Sequence, residues 1–359
     1  MAPKFHTLIV SDIHPESDDS VAVSFDIPAA LRADYAFQPG QYLTLRTNID
    51  GQDARRSYSI SSPLGAVQLT VGVRRVEDGV FSGFVNDALK VGDTMKVMTP
   101  EGRFCAKTGT PARYLLLAAG SGITPMMSIA VSTLESDPKA EVTLVYGNRT
   151  TESVMFRTKL AELKDRYMGR MVLIHILSRE EQDVPLLNGR VDAAKITALV
   201  NVGAIDPKGV DAVFVCGPGE MIDNVCKGLT DLGVSKDKLH FERFTPADGS
   251  QPRPAASHKA VQAVAHGASV EVILDGVRKS FHLVDAEENV LAAAQRSGLD
   301  LPFSCQGGMC CTCRCKVVSG TAEMAVNYSL EKWETDAGYT LACQTRATSD
   351  KLVLDFDAS

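Results

Sequence analysis

Four cysteines in the C-terminal quarter constrain this 359-residue chain more than any other feature. Cys305, Cys310 and Cys313 are spaced C-x4-C-x2-C, and Cys343 follows after 29 further residues. This is the plant-type spacing for a [2Fe–2S] cluster, in which four thiolates hold two irons and two bridging sulfides. Gly307 and Gly308 can supply the unusual backbone conformations of a loop that wraps a cluster. The spacing therefore predicts a [2Fe–2S] centre with these four metal ligands.

Other interpretations of the cysteines fit less well. Zinc sites favour two short C-x2–4-C pairs, and a single distant fourth cysteine matches that arrangement badly. Disulfides are not expected in a chain that resembles a cytosolic protein. Cys311 and Cys315 are interpreted as cysteines that do not bind the cluster, because choosing either as a ligand breaks the C-x4-C-x2-C spacing.

Composition and charge limit the classes of protein to which this chain can belong. The length predicts two or three domains. No apolar secretory segment opens the chain, and the apolar stretch from Tyr114 to Val131 is broken by glycine and proline, so we expect a cytoplasmic protein without a membrane span. A net charge of −7 argues against a nucleic-acid partner. From residue 270 onward, 13 acidic residues face 8 basic ones. This excess of acidic residues either steers the segment toward a basic protein surface or simply reflects an ordinary solvated surface.

The residue pattern changes along the chain. Residues 1–107 carry short alternating runs separated by turn signals, which predicts an antiparallel β-barrel. Residues 108–244 alternate buried strands with helical stretches, as in a doubly wound α/β domain. Residues 245–268 are rich in Pro, Ala and Ser and are predicted to be a linker. Residues 269–359 form the last domain, which opens with a hairpin across Asp275-Gly276 and a helix from Asn289 to about Ser297.

Two segments of the first domain suit a flavin. In the run from Arg55 to Ser62, Arg56 can neutralise the pyrophosphate, Tyr58 can lie against the isoalloxazine, and Ser59 can reach N5. Gly79 and Ser82 belong to a segment that can open a helix whose N–H groups meet the pyrophosphate. The alternative is a polar strand edge, and the residues leave FAD and FMN open.

The second domain carries a phosphate-binding pattern after its first strand. Gly120 and Gly122 allow close backbone approach, Thr124 can cap a helix, and Pro125 suits the first helical position. These features predict a phosphate site at a helix N-terminus, although the third glycine of the usual dinucleotide fingerprint is missing.

Later strand ends of the same domain suggest nucleotide specificity. Arg149, Ser178 and Arg179 follow two strands and suit a ribose 2′-phosphate, hence NADPH rather than NADH. The last strand ends in Cys216-Gly217-Pro218, at the sheet edge where open α/β folds bind ligands. Cys216 is alternatively a small core residue.

Together these motifs resemble the ferredoxin–NADP⁺ reductase superfamily joined to a C-terminal plant-type ferredoxin. Within it, the chain resembles the reductase subunits of ring-1,2-phenylacetyl-CoA epoxidases, the oxygenases of phenylacetate degradation. That likeness rests on the segments Arg55–Ile60, Tyr146–Thr151, Leu177–Glu180 and Val326–Glu331.

The resemblance implies a flavin domain, a nucleotide domain and an α+β ferredoxin domain of the β-grasp fold. It implies FAD bound by Arg56, Tyr58, Ser59 and Ser82, with Cys216 near the nicotinamide and Glu242 near the flavin, so that Ser59, Cys216 and Glu242 are the predicted catalytic residues. Electrons would pass from NADPH to FAD, to the cluster and to an oxygenase partner, with the cofactors carrying the chemistry.

Three rival functions remain open from the sequence. The chain could be the reductase of a Rieske ring-hydroxylating or steroid-hydroxylating oxygenase, a non-catalytic electron carrier or metal-binding protein, or a free-standing flavin diaphorase with a regulatory cluster.

Overall fold

The computed structural model describes residues 4–109, 112–244 and 254–358. These residues fall into two compact units. One unit holds His6–Ala54 and Tyr58–Phe244, and the other holds the C-terminal part of the chain with Arg55–Ser57. No helix among the described residues is long and apolar enough to cross a membrane.

The N-terminal sheet has six strands: β1 (Phe5–Ser17), β2 (Ser20–Asp26), β3 (Tyr42–Ile49), β4 (Gln52–Ser59), β5 (Gln68–Arg74) and β6 (Thr94–Met98). Their spatial order is β4-β3-β6-β1-β2-β5, and the pairings are antiparallel. A bridge between Ile60 and Val71 links the two edge strands and closes the sheet into the predicted barrel. Helix α1 (Val80–Asp87) places Phe81 and Val85 in the barrel core.

The second sheet has five strands: β7 (Arg113–Ala119), β8 (Glu141–Asn148), β9 (Met171–Leu177), β10 (Ala212–Gly217) and β11 (Leu239–Arg243). Their order is β11-β10-β7-β8-β9, and all pairs are parallel. The helices between them are α2 (Ile123–Ser136), α3 (Arg157–Arg166), α4 (Ala193–Asn201) and α5 (Gly219–Asp231). Leu116 packs in the core with α2 and α3, whereas Leu115 and Leu117 face α4 and α5. Helices on both faces give the predicted doubly wound α/β arrangement.

The C-terminal unit contains α6 (His258–Ala265), β12 (Ser269–Leu274), β13 (Val277–His282), α7 (Val290–Arg296), β14 (Arg314–Ser319), β15 (Ala322–Met324), α8 (Lys332–Asp336), β16 (Tyr339–Leu341), β17 (Thr345–Ala347) and β18 (Lys351–Asp355). Its main sheet has the order β13-β12-β18-β14-β16, with β12 and β18 parallel. A mixed sheet packed against α7 is the predicted β-grasp arrangement.

The hairpin predicted at Asp275-Gly276 is present. Both turn residues have positive φ, 51° and 72°, as a two-residue type I′ turn requires. The predicted helix after Asn289 is also present, and the Asn289 side chain accepts a hydrogen bond from the Ala292 N–H to cap it.

The predicted linker contains a helix that its composition did not suggest. Residues 245–253 lie outside the described part of the chain, but α6 occupies most of the remainder. Ser257 caps it by accepting from the Ala260 N–H, and Ala260 and Ala263 are buried, the latter in the core of the C-terminal unit. The segment after residue 257 is therefore folded rather than a linker.

Candidate functional site

The four predicted cluster ligands come together in the C-terminal unit as two pairs. Cys305 lies against Cys310, and this thiol is the main reason that the pKa of Cys305 falls to about 6. Cys313 lies against Cys343, and this contact lowers the pKa of Cys343. The backbone N–H of Gly307 points at Cys305 Sγ from 3.4 Å. The same pairings raise the pKa of Cys310 and of Cys313, so each pair holds one thiol that ionises easily and one that does not. Because iron binds the thiolate, the N–H contact at Cys305 favours the ligand state.

The arrangement of the thiols fits a two-iron cluster better than a zinc ion. Among residues 4–109, 112–244 and 254–358, no three His, Cys, Asp or Glu side chains converge to hold a single metal ion. Zinc would need four ligands converging on one point. A [2Fe–2S] cluster needs two thiolates for each of two irons, and the two pairs provide them.

The backbone of the cysteine loop differs in detail from the expectation. Gly308 has the predicted positive φ, 75°, but Gly307 does not. Gln306 and Cys311 take positive φ instead, 53° and 57°. The Gly308 carbonyl accepts hydrogen bonds from the Tyr328 N–H, 3.1 Å, and from Ser329 Oγ, 3.1 Å. The segment that follows β15 therefore holds the loop in place.

Gln344 also supports the loop, and the sequence analysis missed it. Its side chain is buried, and its Nε2 donates to the Gln306 carbonyl, 2.8 Å, and lies 3.6 Å from Cys343 Sγ. Its position directly after a ligand cysteine was the available signal. Of the two cysteines interpreted as not binding the cluster, Cys315 is fully buried in the core and Cys311 is half-buried.

The predicted flavin residues lie at the end of β4 and the start of α1. The Tyr58 ring contacts the Phe81 ring at a centroid distance of 5.9 Å, which brings the two segments together. Gly79 is the N-cap residue of α1. Ser82 Oγ accepts from the Val76 N–H, 3.1 Å, and donates to the Gly79 carbonyl, 3.2 Å, so this hydroxyl holds the turn before the helix. Arg56 is exposed, and its guanidinium donates to the Arg55 carbonyl.

The predicted phosphate loop forms a short 3₁₀ turn, Gly120–Gly122, before α2. Gly122 is the N-cap, so the prediction that Thr124 caps the helix and Pro125 opens it is wrong by two residues. Thr124 Oγ1 instead donates to the Ser121 carbonyl, 3.0 Å. A Cβ on Gly122 would lie 2.2 Å from the Cys216 carbonyl oxygen. Glycine at 122 is therefore required by the close approach of this turn to β10.

The three predicted catalytic residues converge at the carboxyl edge of this sheet. Ser59 Oγ donates to a Glu242 carboxyl oxygen at 3.2 Å, and Cys216 is the register neighbour of Glu242 on the adjacent strand. Burial raises the pKa of Glu242 from 4.5 to about 8. Burial and the Glu242 carboxylate together raise the pKa of Cys216. Near neutral pH, Glu242 is therefore mainly a neutral acid and Cys216 a neutral thiol.

The remaining predicted nucleotide residues lie at neighbouring strand ends. The Arg179 N–H donates to the Arg149 carbonyl, 2.8 Å, and the Ser178 N–H and Oγ both lie within 3.2 Å of the Asn148 carbonyl. All three predicted side chains are exposed. At the next strand, Cys216 and Gly217 end β10, and Pro218 is the N-cap residue of α5.

Arg74, at the end of β5, is a cation near the phosphate loop that the sequence analysis missed. Its Nη1 lies 3.0 Å from the position of a Cβ on Gly120. Its other nitrogens bind the Asp19 carboxylate, 3.0 Å, and the Ser153 carbonyl, 2.7 Å. No pattern along the chain links residue 74 to residue 120, because only the packing of the barrel against the α/β sheet brings them together.

Comparisons with known proteins agree with this architecture. Three families match in order: the oxidoreductase FAD-binding domain over residues 7–105, the oxidoreductase NAD-binding domain over 116–227, and the 2Fe-2S iron-sulfur cluster binding domain over 272–348. One subunit of the 1,2-phenylacetyl-CoA epoxidase of Escherichia coli (strain K12) is 41% identical over 99% of this chain and 98% of that protein. The ferredoxin reductase component of the 3-ketosteroid-9-alpha-monooxygenase of Rhodococcus rhodochrous is 34% identical over 97% of this chain and 96% of that protein.

Among solved structures, phthalate dioxygenase reductase has the same fold, with a TM-score of 0.59 at 22% identity over 98% of each chain. The fold and the site thus define an oxidoreductase that moves electrons from NAD(P)H through FAD to a [2Fe–2S] cluster. The chain belongs to the family of FAD- and [2Fe–2S]-containing reductases that includes this phenylacetyl-CoA epoxidase component. The predicted fold class and enzyme class are confirmed, and the cofactors are confirmed as FAD, a [2Fe–2S] cluster and NAD(P)H. The family match identifies the flavin as FAD, which the residues alone had left open against FMN.

Proposed function

We propose that this protein is the reductase component of a phenylacetyl-CoA epoxidase and that it delivers electrons from NADPH to the oxygenase subunits. The observation that carries this proposal is the 41% identity to the Escherichia coli epoxidase component over 99% of the chain, which spans all three cofactor domains. The proposed domain bounds are 1–107 for FAD, 108–244 for NADP(H) and 269–359 for the cluster, with α6 added to the cluster domain because Ala263 packs in its core.

When bound, FAD and the cluster together convert a two-electron hydride into single electrons. The residues of the chain hold and orient these groups. Ser59 would hold flavin N5, Tyr58 would lie against the ring system, and Arg56 would neutralise the pyrophosphate. Cys216 would lie beside the nicotinamide. What supports these roles is the convergence of Ser59, Glu242 and Cys216 at one sheet edge.

Glu242 acts as a neutral hydrogen-bonding group next to the flavin. Glu242 is half-buried, and desolvation of its carboxyl group raises the pKa to about 8, so it carries a proton through most of the neutral range. A neutral acid at this position would place no negative charge beside a bound flavin and nicotinamide.

NADPH is preferred over NADH through Arg149, Ser178 and Arg179, which bind the 2′-phosphate. The backbone bond between Arg179 and Arg149 supports this role, because it places the two arginine residues side by side at neighbouring strand ends. Glu180, the residue after Arg179, accepts hydrogen bonds from the Thr151 N–H and hydroxyl, so its carboxylate is directed toward Thr151.

The test is NADPH consumption by the purified protein mixed with phenylacetyl-CoA oxygenase subunits, with and without phenylacetyl-CoA. Consumption that depends on the substrate and matches its loss supports the proposal. Reduction of dyes without this coupling contradicts the epoxidase assignment and leaves the reductase intact. A ketosteroid oxygenase is the second partner to mix, because 34% identity to its reductase makes it the next candidate.

A further inference from the structure

The side chain of Tyr146, on β8, contacts the phosphate loop from inside the protein. Tyr146 is among the largest fully buried side chains and packs in the core between the sheet and α2. Its hydroxyl donates to the Gly120 carbonyl at 2.9 Å. Burial raises the pKa of Tyr146, so the hydroxyl keeps its proton and remains a donor.

The Gly120 carbonyl belongs to the peptide that opens the loop. Gly120 has a positive φ of 56°, and its carbonyl also accepts from the Ile123 N–H within the 3₁₀ turn. Because a trans peptide holds C=O and N–H on opposite sides, a carbonyl fixed toward Tyr146 turns the Ser121 N–H away from the core. Arg74 lies beside the same loop, with Nη1 3.0 Å from the position of a Cβ on Gly120.

We propose that Tyr146 is a positioning residue that orients the Gly120–Ser121 peptide so that its N–H faces the pyrophosphate of NAD(P)H. This inference rests on the proposed nucleotide site at the loop. Without the hydroxyl, the peptide is held by the Ile123 N–H alone and can rotate, which weakens the hydrogen bond from Ser121 to a phosphate oxygen.

A matched control variant distinguishes a positioning role of the Tyr146 hydroxyl from a purely structural one. Tyr114 lies in the same core, and its hydroxyl also donates to a backbone carbonyl, that of Lys107, at 2.8 Å. Lys107 precedes β7, whereas the phosphate loop follows it. Tyr114→Phe therefore removes the same kind of bond at the opposite end of the strand.

The experiment compares Tyr146→Phe and Tyr114→Phe in the full-length, flavin-loaded protein. Calorimetric titration with ADP-ribose, which has a pyrophosphate, and with adenosine 2′-monophosphate, which lacks one, reports binding without turnover. For Tyr146→Phe we expect ADP-ribose to bind about fivefold to tenfold more weakly, the size of one lost hydrogen bond, and adenosine 2′-monophosphate to be unchanged. With a dye acceptor, KM for NADPH should rise by the same factor and kcat should stay within about twofold. Tyr114→Phe should leave the affinity for both ligands unchanged.

Equal ADP-ribose affinity in the two variants overturns the positioning role. A wild-type protein that binds neither ADP-ribose nor adenosine 2′-monophosphate overturns the nucleotide site and the positioning role together, so the two failures are distinguishable. Gly120→Ala disfavours the left-handed conformation of the same peptide and should weaken ADP-ribose binding in the same selective way. Unchanged binding in that variant would also contradict the inference.

Discussion

Replacing Gly122 by alanine should damage the nucleotide site through the backbone. The added Cβ would lie 2.2 Å from the Cys216 carbonyl oxygen and 2.5 Å from its carbon, whereas real Cβ contacts are essentially never shorter than 3.0 Å. The start of α2 must therefore retreat from β10 by at least about 0.8 Å, the difference between 3.0 and 2.2 Å. Most of α2 is buried, so it cannot move without disturbing the core. Forced overpacking of this kind costs about 1–3 kcal/mol.

Urea unfolding and dye-coupled turnover test this prediction. We expect the free energy of unfolding to fall by about 1–3 kcal/mol. A shift near 1 Å in the loop should lower kcat/KM for NADPH by about ten- to a hundredfold. Gly169→Ala is the matched control, because its φ is not positive and no atom lies within 4 Å of its added Cβ. If Gly122→Ala is as stable and as active as Gly169→Ala, the close-approach argument is refuted.

Three further substitutions test separate parts of the site. Cys343→Ser should abolish the visible and paramagnetic signals of the reduced cluster while NADPH still reduces the flavin, and loss of both together would contradict separable modules. Arg179→Ala should raise KM for NADPH by about ten- to a hundredfold and leave KM for NADH nearly unchanged, so equal increases would exclude a 2′-phosphate role. Glu242→Gln should flatten the pH dependence of stability between about pH 4.5 and pH 8, because the folded state holds the Glu242 proton that the unfolded state releases, and stability is lost as pH rises through this window. Urea titrations at several pH values in saturating FAD would measure this pH dependence. If the free energy of unfolding changes with pH equally in the variant and the wild type, Glu242 is not protonated in the folded state.

Features encoded by neighbouring residues could be predicted from the sequence. The cluster ligands follow from spacing alone, since three of the four lie in one loop. The hairpin at Asp275-Gly276 follows from local φ preferences, and the parallel strands follow from continuous apolar runs bounded by turns. Apart from Cys343, the physical cause in each case acts within about ten residues, so the sequence pattern contains it.

Features that depend on tertiary contacts could not be predicted in this way. Residues 258–265 have the composition of a linker, but Ala260 and Ala263 find buried positions, and this burial stabilises a helix that propensity alone would leave marginal. Thr124 has the residue type of a cap, yet the approach of Gly122 to β10 starts the helix earlier. Arg74 and Tyr146 act on the phosphate loop from segments far from it in the chain.

The geometry of hydride transfer depends on how the barrel is held against the α/β sheet. Largely buried hydrogen bonds between the two hold the barrel in place. The Glu16 carboxylate, on β1, accepts from the Phe156 N–H at the start of α3, 3.0 Å, and its side chain is only 6% exposed. Ser128 Oγ, on α2, donates to the Ser62 carbonyl, 2.8 Å, and is fully buried. A slide of either domain would leave these groups desolvated and without partners, which costs about 1–3 kcal/mol for each group. Apolar packing alone would tolerate small slides, whereas these directional bonds do not. Efficient hydride transfer needs the reacting atoms of flavin and nicotinamide to be held about 3–3.5 Å apart, and bonds between residues 66 to 140 positions apart supply that constraint.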